Sequence, residues 1–330
     1  MKGIKILGIG IYTPEKIVTN DDFAKIVETS DEWIYTRTGM RKRHLSSGEP
    51  TWYMATKAGA NAILKAGINP DDIDMIIHSS VTPDYYFPSM ACMVQRELGI
   101  KNCIALDINA ACSGFVYGID MARRYLATGD IRNVLVIGAE NFTKLVDYTD
   151  RSTCVLFGDG AGACVVTAGD GFYSSYINAD GTGAKHMVSR SLSANNAFIE
   201  EGRKVIDEDM PESHEHYMFM DGKEVYKFAT RALPLAVKEA CRKIDMNIED
   251  IDVIIPHQAN IRIIETAAQK LGVSMDKMYV NIHEYGNTSS ASIPLALNEA
   301  YEKEVIKKGD KVCLVGFGAG LTFGAIIFDA

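Results

Sequence analysis

Disulfide-ready cysteine pairing is missing from this chain. Its seven cysteines are odd in number, scattered and never spaced C-x-x-C, which argues against a disulfide scaffold and for a reducing compartment. Excess positive charge is missing too. With 34 Lys and Arg against 43 Asp and Glu, the formal net charge is −9, which speaks against a broad nucleic-acid-binding surface but leaves room for a local basic patch. No apolar run is long enough to span a membrane uninterrupted. The longest, residues 312–328, is broken by Gly316, Gly318, Gly320 and Gly324 and reads as two buried strands joined by a glycine turn. Near the start, Pro14 and Glu15 interrupt the apolar run before any A-x-A-like cleavage site, so a first β-strand is predicted rather than a signal peptide, and with it a cytoplasmic location.

Nucleotide signatures are also absent. Gly158-Asp159-Gly160-Ala161-Gly162 and Gly316-Phe317-Gly318-Ala319-Gly320 lack the G-x-G-x-x-G spacing, and no G-x-x-x-x-G-K-[ST] occurs, so these glycines read as places of close backbone approach. His214 and His216 lie in a polar, acidic excursion, residues 185–217, with no carboxylate or thiol arrangement of defined spacing. No metal site is predicted.

What is present is a pattern written twice. Asp72-Ile73-Asp74-Met75-Ile76-Ile77 matches Asp250-Ile251-Asp252-Val253-Ile254-Ile255, and the segments 127–138 and 307–316 resemble each other in the same order. Both pairs are offset by about 180 residues, too long for a solenoid and right for a duplicated domain. Short Val/Ile-rich runs alternate with helical periodicity over residues 55–66, 90–98, 114–127, 229–244 and 261–271, predicting βαβ units and buried, mostly parallel sheets. The turn-forming Gly169-Asp170-Gly171 sets a boundary between two α/β halves, 1–170 and 171–330.

Cys112 stands among small residues in Asp107-Ile108-Asn109-Ala110-Ala111-Cys112-Ser113-Gly114, at a predicted strand-to-helix turn. Exposed N–H groups at a helix start favour thiolate, and the small neighbours leave room for a thioester carbonyl, with the Cys112 N–H as an oxyanion donor. Cys92, Cys103, Cys154, Cys164, Cys241 and Cys313 read instead as small buried hydrophobes. His257, in Pro256-His257-Gln258-Ala259-Asn260, and Asn287, in Gly286-Asn287-Thr288-Ser289, fit capping or turn roles equally well on their own. The duplication adds that Cys112 and Asn287 fall at roughly corresponding places, so paired strand ends can converge on a Cys-His-Asn acyl-transfer site. A glycine loop near Cys112 would add a second oxyanion N–H.

These segments, with Thr29-Ser30-Asp31-Glu32-Trp33-Ile34, Arg37-Thr38-Gly39, Phe87-Pro88-Ser89, Asp150-Arg151 and Gly222-Lys223-Glu224-Val225, resemble the thiolase-fold condensing enzymes over nearly the whole chain. Within them the chain is most similar to the 3-oxoacyl-[acyl-carrier-protein] synthase III family. The resemblance implies a layered αβαβα fold of two duplicated halves and a ping-pong decarboxylative Claisen condensation of acyl-CoA with malonyl-acyl-carrier protein, opening type II fatty acid synthesis. It implies Cys112 as nucleophile, His257 and Asn287 as hydrogen-bond donors to the enolate oxygen, and the N–H groups of Cys112 and Ala319 as the oxyanion hole. It further implies Trp33 and Arg151 on the CoA adenine, Arg37 at its phosphates, and Lys227, Arg262 and Lys270 as the patch receiving an acidic carrier protein. It also implies a homodimer in which Phe87 limits the partner's acyl pocket, with no metal or redox cofactor. Gln269 is uncharged where relatives carry lysine, and Phe323 stands where tryptophan is frequent.

Other readings differ in chemistry. A 3-hydroxy-3-methylglutaryl-CoA synthase needs a Glu base that Ile77-His78-Ser79-Ser80 does not offer. A type III polyketide synthase would extend with free malonyl-CoA, acyltransferases that do not decarboxylate tend to lose the Asn, and a non-enzymatic acyl-CoA-binding partner subunit would not be acylated.

Overall fold

The structure, a computed structural model, describes residues 3–192, 198, 210–211 and 217–330. The acidic residues Glu200 to Glu215 of the predicted excursion, with His214 and His216, lie outside the described residues.

One sheet is built from β1 (Gly3–Tyr12), β2 (Met75–Ser79), β3 (Ile104–Ile108), β4 (Asn133–Glu140) and β5 (Gly160–Gly169), in the spatial order β1-β5-β4-β2-β3. A second is built from β6 (Tyr173–Ala179), β7 (Val253–Pro256), β8 (Lys311–Gly318) and β9 (Thr322–Asp329), ordered β7-β8-β9-β6. The sheets are mixed, not mostly parallel as the sequence pattern suggests. Parallel pairing is confined to β3-β2-β4 and β7-β8, and the remaining pairs are antiparallel. The cause is visible at residues 319–321, a turn too short for the crossover that a parallel neighbour requires.

The repeated D-I-D sequence has a physical role in both sheets. Its first Asp closes a capping box, Asp72 accepting from Asn69 N at 2.9 Å and Asp250 from Asn247 N at 3.3 Å. Its second Asp fastens the neighbouring strand, Asp74 accepting from Arg132 N at 2.8 Å and Asp252 from Lys311 N at 2.7 Å. The carboxylates satisfy backbone donors at the strand starts, which fixes the register of each parallel pair.

Helices α1 (Asp31–Thr38), α2 (Thr51–Ala66), α3 (Met90–Leu98), α4 (Gly114–Leu126), α5 (Gly222–Arg242), α6 (Ile261–Leu271) and α7 (Ser292–Glu302) complete the layers. Phe115, Ile119, Ala122 and Leu126 of α4 and Ile293, Ala296, Leu297 and Ala300 of α7 share one core with the inner faces of both sheets. Helices α2 and α3 cover the outer face of the first sheet, and α5 and α6 that of the second. The result is the five-layer αβαβα arrangement that the resemblance implies. Helix α5 begins well before the predicted residue 229, with Asp221 accepting from the N–H groups of Lys223 and Glu224 as its N-cap. Its first turns are hidden from periodicity because Gly222 and Tyr226 line a cavity, which leaves Val225 as the one core residue before Phe228. Among the described residues, no helix is long and apolar enough to cross a membrane.

Candidate active site

The turns that end in α4 and α7 are built alike. Each contains a short 3-10 turn, residues 111–113 and 289–291, opened by a non-glycine residue at positive φ: 45° at Ala111 and 51° at Ser289. An asparagine side chain holds each turn, Asn109 Oδ1 accepting from Ala111 N at 3.3 Å and Asn287 Oδ1 from Ser289 N at 2.9 Å. The counterpart of Asn287 is therefore Asn109, and that of Cys112 is Ser290. The expected correspondence of Cys112 with Asn287 is off by a turn of chain.

Asn287 is fixed from behind as well. Its N–H donates to Leu156 O at 2.9 Å and its carbonyl accepts from Gly158 N at 3.0 Å. Gly286 precedes it at φ 64°, ψ −155°, a conformation essentially restricted to glycine. A Cβ there would also lie 2.8 Å from Cγ of Arg43, a fully buried guanidinium that donates to Asn20 Oδ1 and the Val155 carbonyl. Because Oδ1 of Asn287 is committed to Ser289 N, its NH2 group is the part left to serve the cavity.

His257 follows β7 and is buried. Ser292 Oγ accepts from Gln258 N at 3.3 Å and lies 2.7 Å from Nδ1 of His257. With the Ser292 hydroxyl hydrogen aimed at Nδ1, the ring proton is assigned to Nε2, a buried atom without a protein partner among the described residues. Burial pulls the imidazole down to about 3, so it is neutral at physiological pH and acts as an N–H donor rather than a cation. The unfolded chain, with an imidazole near pH 6.5, binds this proton more readily, so the stability contribution is complete above about pH 6.5 and is lost as pH falls toward 3. Urea unfolding followed against pH should show His257→Gln reducing the acid-side slope by up to about 1.4 kcal/mol per pH unit. An unaltered slope would mean that the native ring is already solvated or charged.

Cys112 is 4% exposed, and burial pushes its thiol up to about 12, against the smaller lowering effects of the Ser289 hydroxyl and its own backbone N–H. This corrects the expectation of a standing thiolate: desolvation outweighs the start of α4, and the resting group is the thiol. The other cysteines are buried except Cys92, which is exposed, and Cys103, half-buried. These two depart from the core reading because their helix and strand face outward at those positions.

The 316–320 glycine loop lies on Cys112. A Cβ on Gly318 would fall 2.6 Å from the Cys112 nitrogen, so close approach is the reason for glycine there. Ala319 and Cys112 line one cavity of about 1180 Å³, which also contains Phe87, His78, Lys144 and Ser289. Cys112 is also reached from a second cavity of about 240 Å³, whose lining includes His257, Asn287, Phe317, Trp33 and Arg37. The nucleophile candidate thus sits where two spaces meet.

The remaining predicted residues fall around these mouths. The guanidinium carbons of Arg37 and Arg151 lie 4.6 Å and 4.8 Å from the Trp33 ring centre, giving an indole flanked by two cations. Lys227 is exposed and paired with Glu224 at 2.6 Å. Arg262 donates to Thr36 O at 2.9 Å, at the end of α1, near Trp33 and Arg37. Lys270 is exposed, with its ammonium on Thr230 O at 3.0 Å. Phe87 is 86% exposed beside Tyr85 and Tyr86, an apolar tip unpaired in the single chain. Phe323 packs edge-on against Phe228 at 5.6 Å in the outer core of the second sheet.

Sequence reasoning missed Glu140, Ser289 and Ser292. Glu140 offered a signal, a carboxylate closing the apolar strand Val134–Ala139 at the strand end where α/β sites form, whereas the serines are ordinary turn residues until the fold is known.

A cysteine reached from two cavities, with a neutral imidazole donor and an amide donor lining one of them, fits an acyl-transferring condensing enzyme. Residues 106–181 match the family described as 3-Oxoacyl-[acyl-carrier-protein (ACP)] synthase III, and residues 241–330 its C-terminal counterpart. The chain is 47% identical to a β-ketoacyl-[acyl-carrier-protein] synthase III of Clostridium novyi (strain NT) over 98% of both chains. It is 48% identical to that of Caldanaerobacter subterraneus subsp. tengcongensis, over 98% of this chain and 96% of the relative. The crystal structure of 3-oxoacyl-[acyl-carrier-protein] synthase III from Aquifex aeolicus VF5 superposes with a TM-score of 0.90 at 42% identity, covering 99% of this chain and 100% of that one. The chain belongs to the 3-oxoacyl-[acyl-carrier-protein] synthase III family of thiolase-fold enzymes.

Proposed function

We propose that the protein joins an acyl-CoA primer to malonyl-acyl-carrier protein by decarboxylative Claisen condensation, giving a 3-oxoacyl-carrier product, CoA and CO2 and initiating type II fatty acid synthesis. Family membership supports the reaction. The observation that carries the chemistry is the shared cavity, lined by Cys112, His257 and Asn287 together with Trp33 and Arg37. Such a passage suits a thiol ester carried on a long arm, its adenine between Trp33 and Arg151 and its phosphates near Arg37.

In the first half-reaction Cys112 sulfur attacks the primer carbonyl, whose oxygen is held by the N–H groups of Cys112 and Ala319, and CoA leaves. In the second, the malonyl thioester loses CO2. His257 Nε2–H and the Asn287 NH2 stabilise the enolate oxygen, and the carbanion attacks the acyl-enzyme. The thioester carbonyl itself is the electron sink, so the residues need no resident metal or redox cofactor. The exposed Lys227, Arg262 and Lys270 suit an acidic carrier. Phe87 suits a homodimer in which it reaches the partner's acyl space, and the two halves 1–170 and 171–330 suit an ancestral duplication.

The test is intact-protein mass spectrometry after incubation with a panel of acyl-CoAs, followed by malonyl-carrier protein. Acylation at Cys112 that clears to a 3-oxoacyl-carrier product is expected. Acylation that clears only with free malonyl-CoA, or no acylation at all, would sink this reading.

A further inference from the structure

Glu140 ends β4 with a fully buried side chain, and the chemistry described so far makes no use of it. Its two carboxylate oxygens accept hydroxyl hydrogens from Ser80 at 2.9 Å, Thr82 at 2.6 Å, Ser290 at 2.9 Å and Ser289 at 3.1 Å, as well as the N–H of Val81 at 3.1 Å. Four hydroxyls drawn from two separate turns surround one carboxylate, with no cation paired to it among the described residues. The Lys144 ammonium is held by Asp84 and by Thr82 O. The buried His78 on the adjacent strand faces Asp107 at 3.6 Å.

One of the four hydroxyls, that of Ser289, also acts on the Cys112 thiol, lowering it against the effect of burial. Ser289 lines the same cavity as Cys112, and its single hydrogen is directed at Glu140 Oε1. With that hydrogen on the carboxylate, the Ser289 oxygen keeps lone pairs that can accept the thiol proton. Acyl transfer has to remove the thiol proton from a buried site. His257 is poorly suited to receive it, because Nδ1 is occupied by Ser292 and burial disfavours the imidazolium.

We propose that Glu140, acting through the Ser289 hydroxyl, takes up the Cys112 thiol proton during acyl transfer and returns it when the cysteine is released. As sulfur forms its bond to the primer carbonyl carbon, the S–H proton passes to Ser289 Oγ and the Ser289 proton to Glu140 Oε1. The carbonyl π electrons move to oxygen and return on collapse to expel CoA thiolate, which takes a proton from solvent. In the acyl-enzyme Glu140 is the neutral acid, and burial favours that form. When the carbanion attacks and the second tetrahedral intermediate collapses, the departing Cys112 thiolate recovers its proton through Ser289, and Glu140 is ionised again. Charge is thus conserved inside the dry site in both directions. The strand end at Ile77-His78-Ser79-Ser80 offers no Glu, but the neighbouring strand does.

The proposal rests on Cys112 being the nucleophile, and the experiment separates the two. Acylation of Cys112 by acyl-CoA and decarboxylation of malonyl-carrier protein without primer are timed separately for wild type, Glu140→Gln, Ser289→Ala and the double variant. Glu140→Gln and Ser289→Ala should each slow acylation about a hundredfold, the size of general-base catalysis, and slow decarboxylation by less than about threefold. The double variant should be no slower than the slower single one, because both substitutions break one relay. Glu140→Asp, which restores a carboxylate, should recover part of the rate. Equal losses in both half-reactions, or additive losses in the double variant, would show that Glu140 only props the 287–291 turn, and the proposal would fall. If Glu140→Gln does not fold, Ser289→Ala carries the same test, since it removes one hydroxyl from a surface-free turn and leaves three around the carboxylate. Wild type that is not acylated at Cys112 would overturn the nucleophile assignment and the relay together.

Discussion

Cys112→Ala is expected to abolish acyl-enzyme formation while malonyl-carrier protein still binds. The sulfur lies under the 316–320 loop where the two cavities meet, and no second thiol shares that position. Cys92 is exposed, Cys103 half-buried, and Cys154, Cys164, Cys241 and Cys313 are buried with their strands and helices in the cores. Removing a covalent nucleophile takes away one whole half-reaction, so a loss of condensation of about 10⁴-fold or more is expected. The substitution is small, and the site was not propped open by the sulfur. Folding should therefore survive, and the malonyl thioester should still reach His257 and Asn287. Intact-protein mass after incubation with acyl-CoA is the readout, with a trapped adduct on Cys92 as the control for surface reactivity. A persistent adduct at wild-type rate in Cys112→Ala would refute the assignment.

His257→Ala or Asn287→Ala should reduce decarboxylation by about 10²–10³-fold and acyl loading by much less. The asymmetry follows from where the donors come from. In the proposed reaction the oxyanion of acyl loading is served by backbone N–H groups of residues 112 and 319, which neither substitution removes. The proposed enolate donors are Nε2 of a ring that burial keeps neutral and an amide whose oxygen is tied to Ser289 N. Each donor is preoriented, so little reorganisation is needed as charge develops. His257→Ala also strands the Ser292 hydroxyl, and a modest loss of stability should accompany it. Timing the two half-reactions separately is the check. If loading suffers more than decarboxylation, the roles assigned to His257 and Asn287 are reversed.

The glycines illustrate how far sequence reaches toward such a site. Gly316-Phe317-Gly318-Ala319-Gly320 is legible as close backbone approach, because it lacks the nucleotide-binding spacing, but the partner in that approach, the Cys112 nitrogen, comes from a 3-10 turn about two hundred residues earlier in the chain. The D-I-D repeat is likewise visible as a repeat, whereas its two jobs, closing a capping box and fastening the next strand, need the fold. The helix limits were readable where the apolar stripe faces a core, as at Met90–Leu98 and Ile261–Leu271. They were unreadable at the start of Gly222–Arg242, where side chains face a cavity.

Local pattern and residue chemistry by themselves determined the α/β class and marked Cys112 as the candidate nucleophile, because periodicity and small-residue turns are set by near neighbours. Tertiary structure decided the protonation states. Cys112 at a helix start reads as a thiolate, yet burial returns it to a thiol. At His257 burial keeps the imidazole a neutral donor. It also decided that Glu140, the end of one strand, would sit among hydroxyls from residues 80, 82, 289 and 290. Desolvation and the hydrogen bonds that offset it depend on what is packed around a group from distant parts of the chain, and the sequence order of residues does not carry that information.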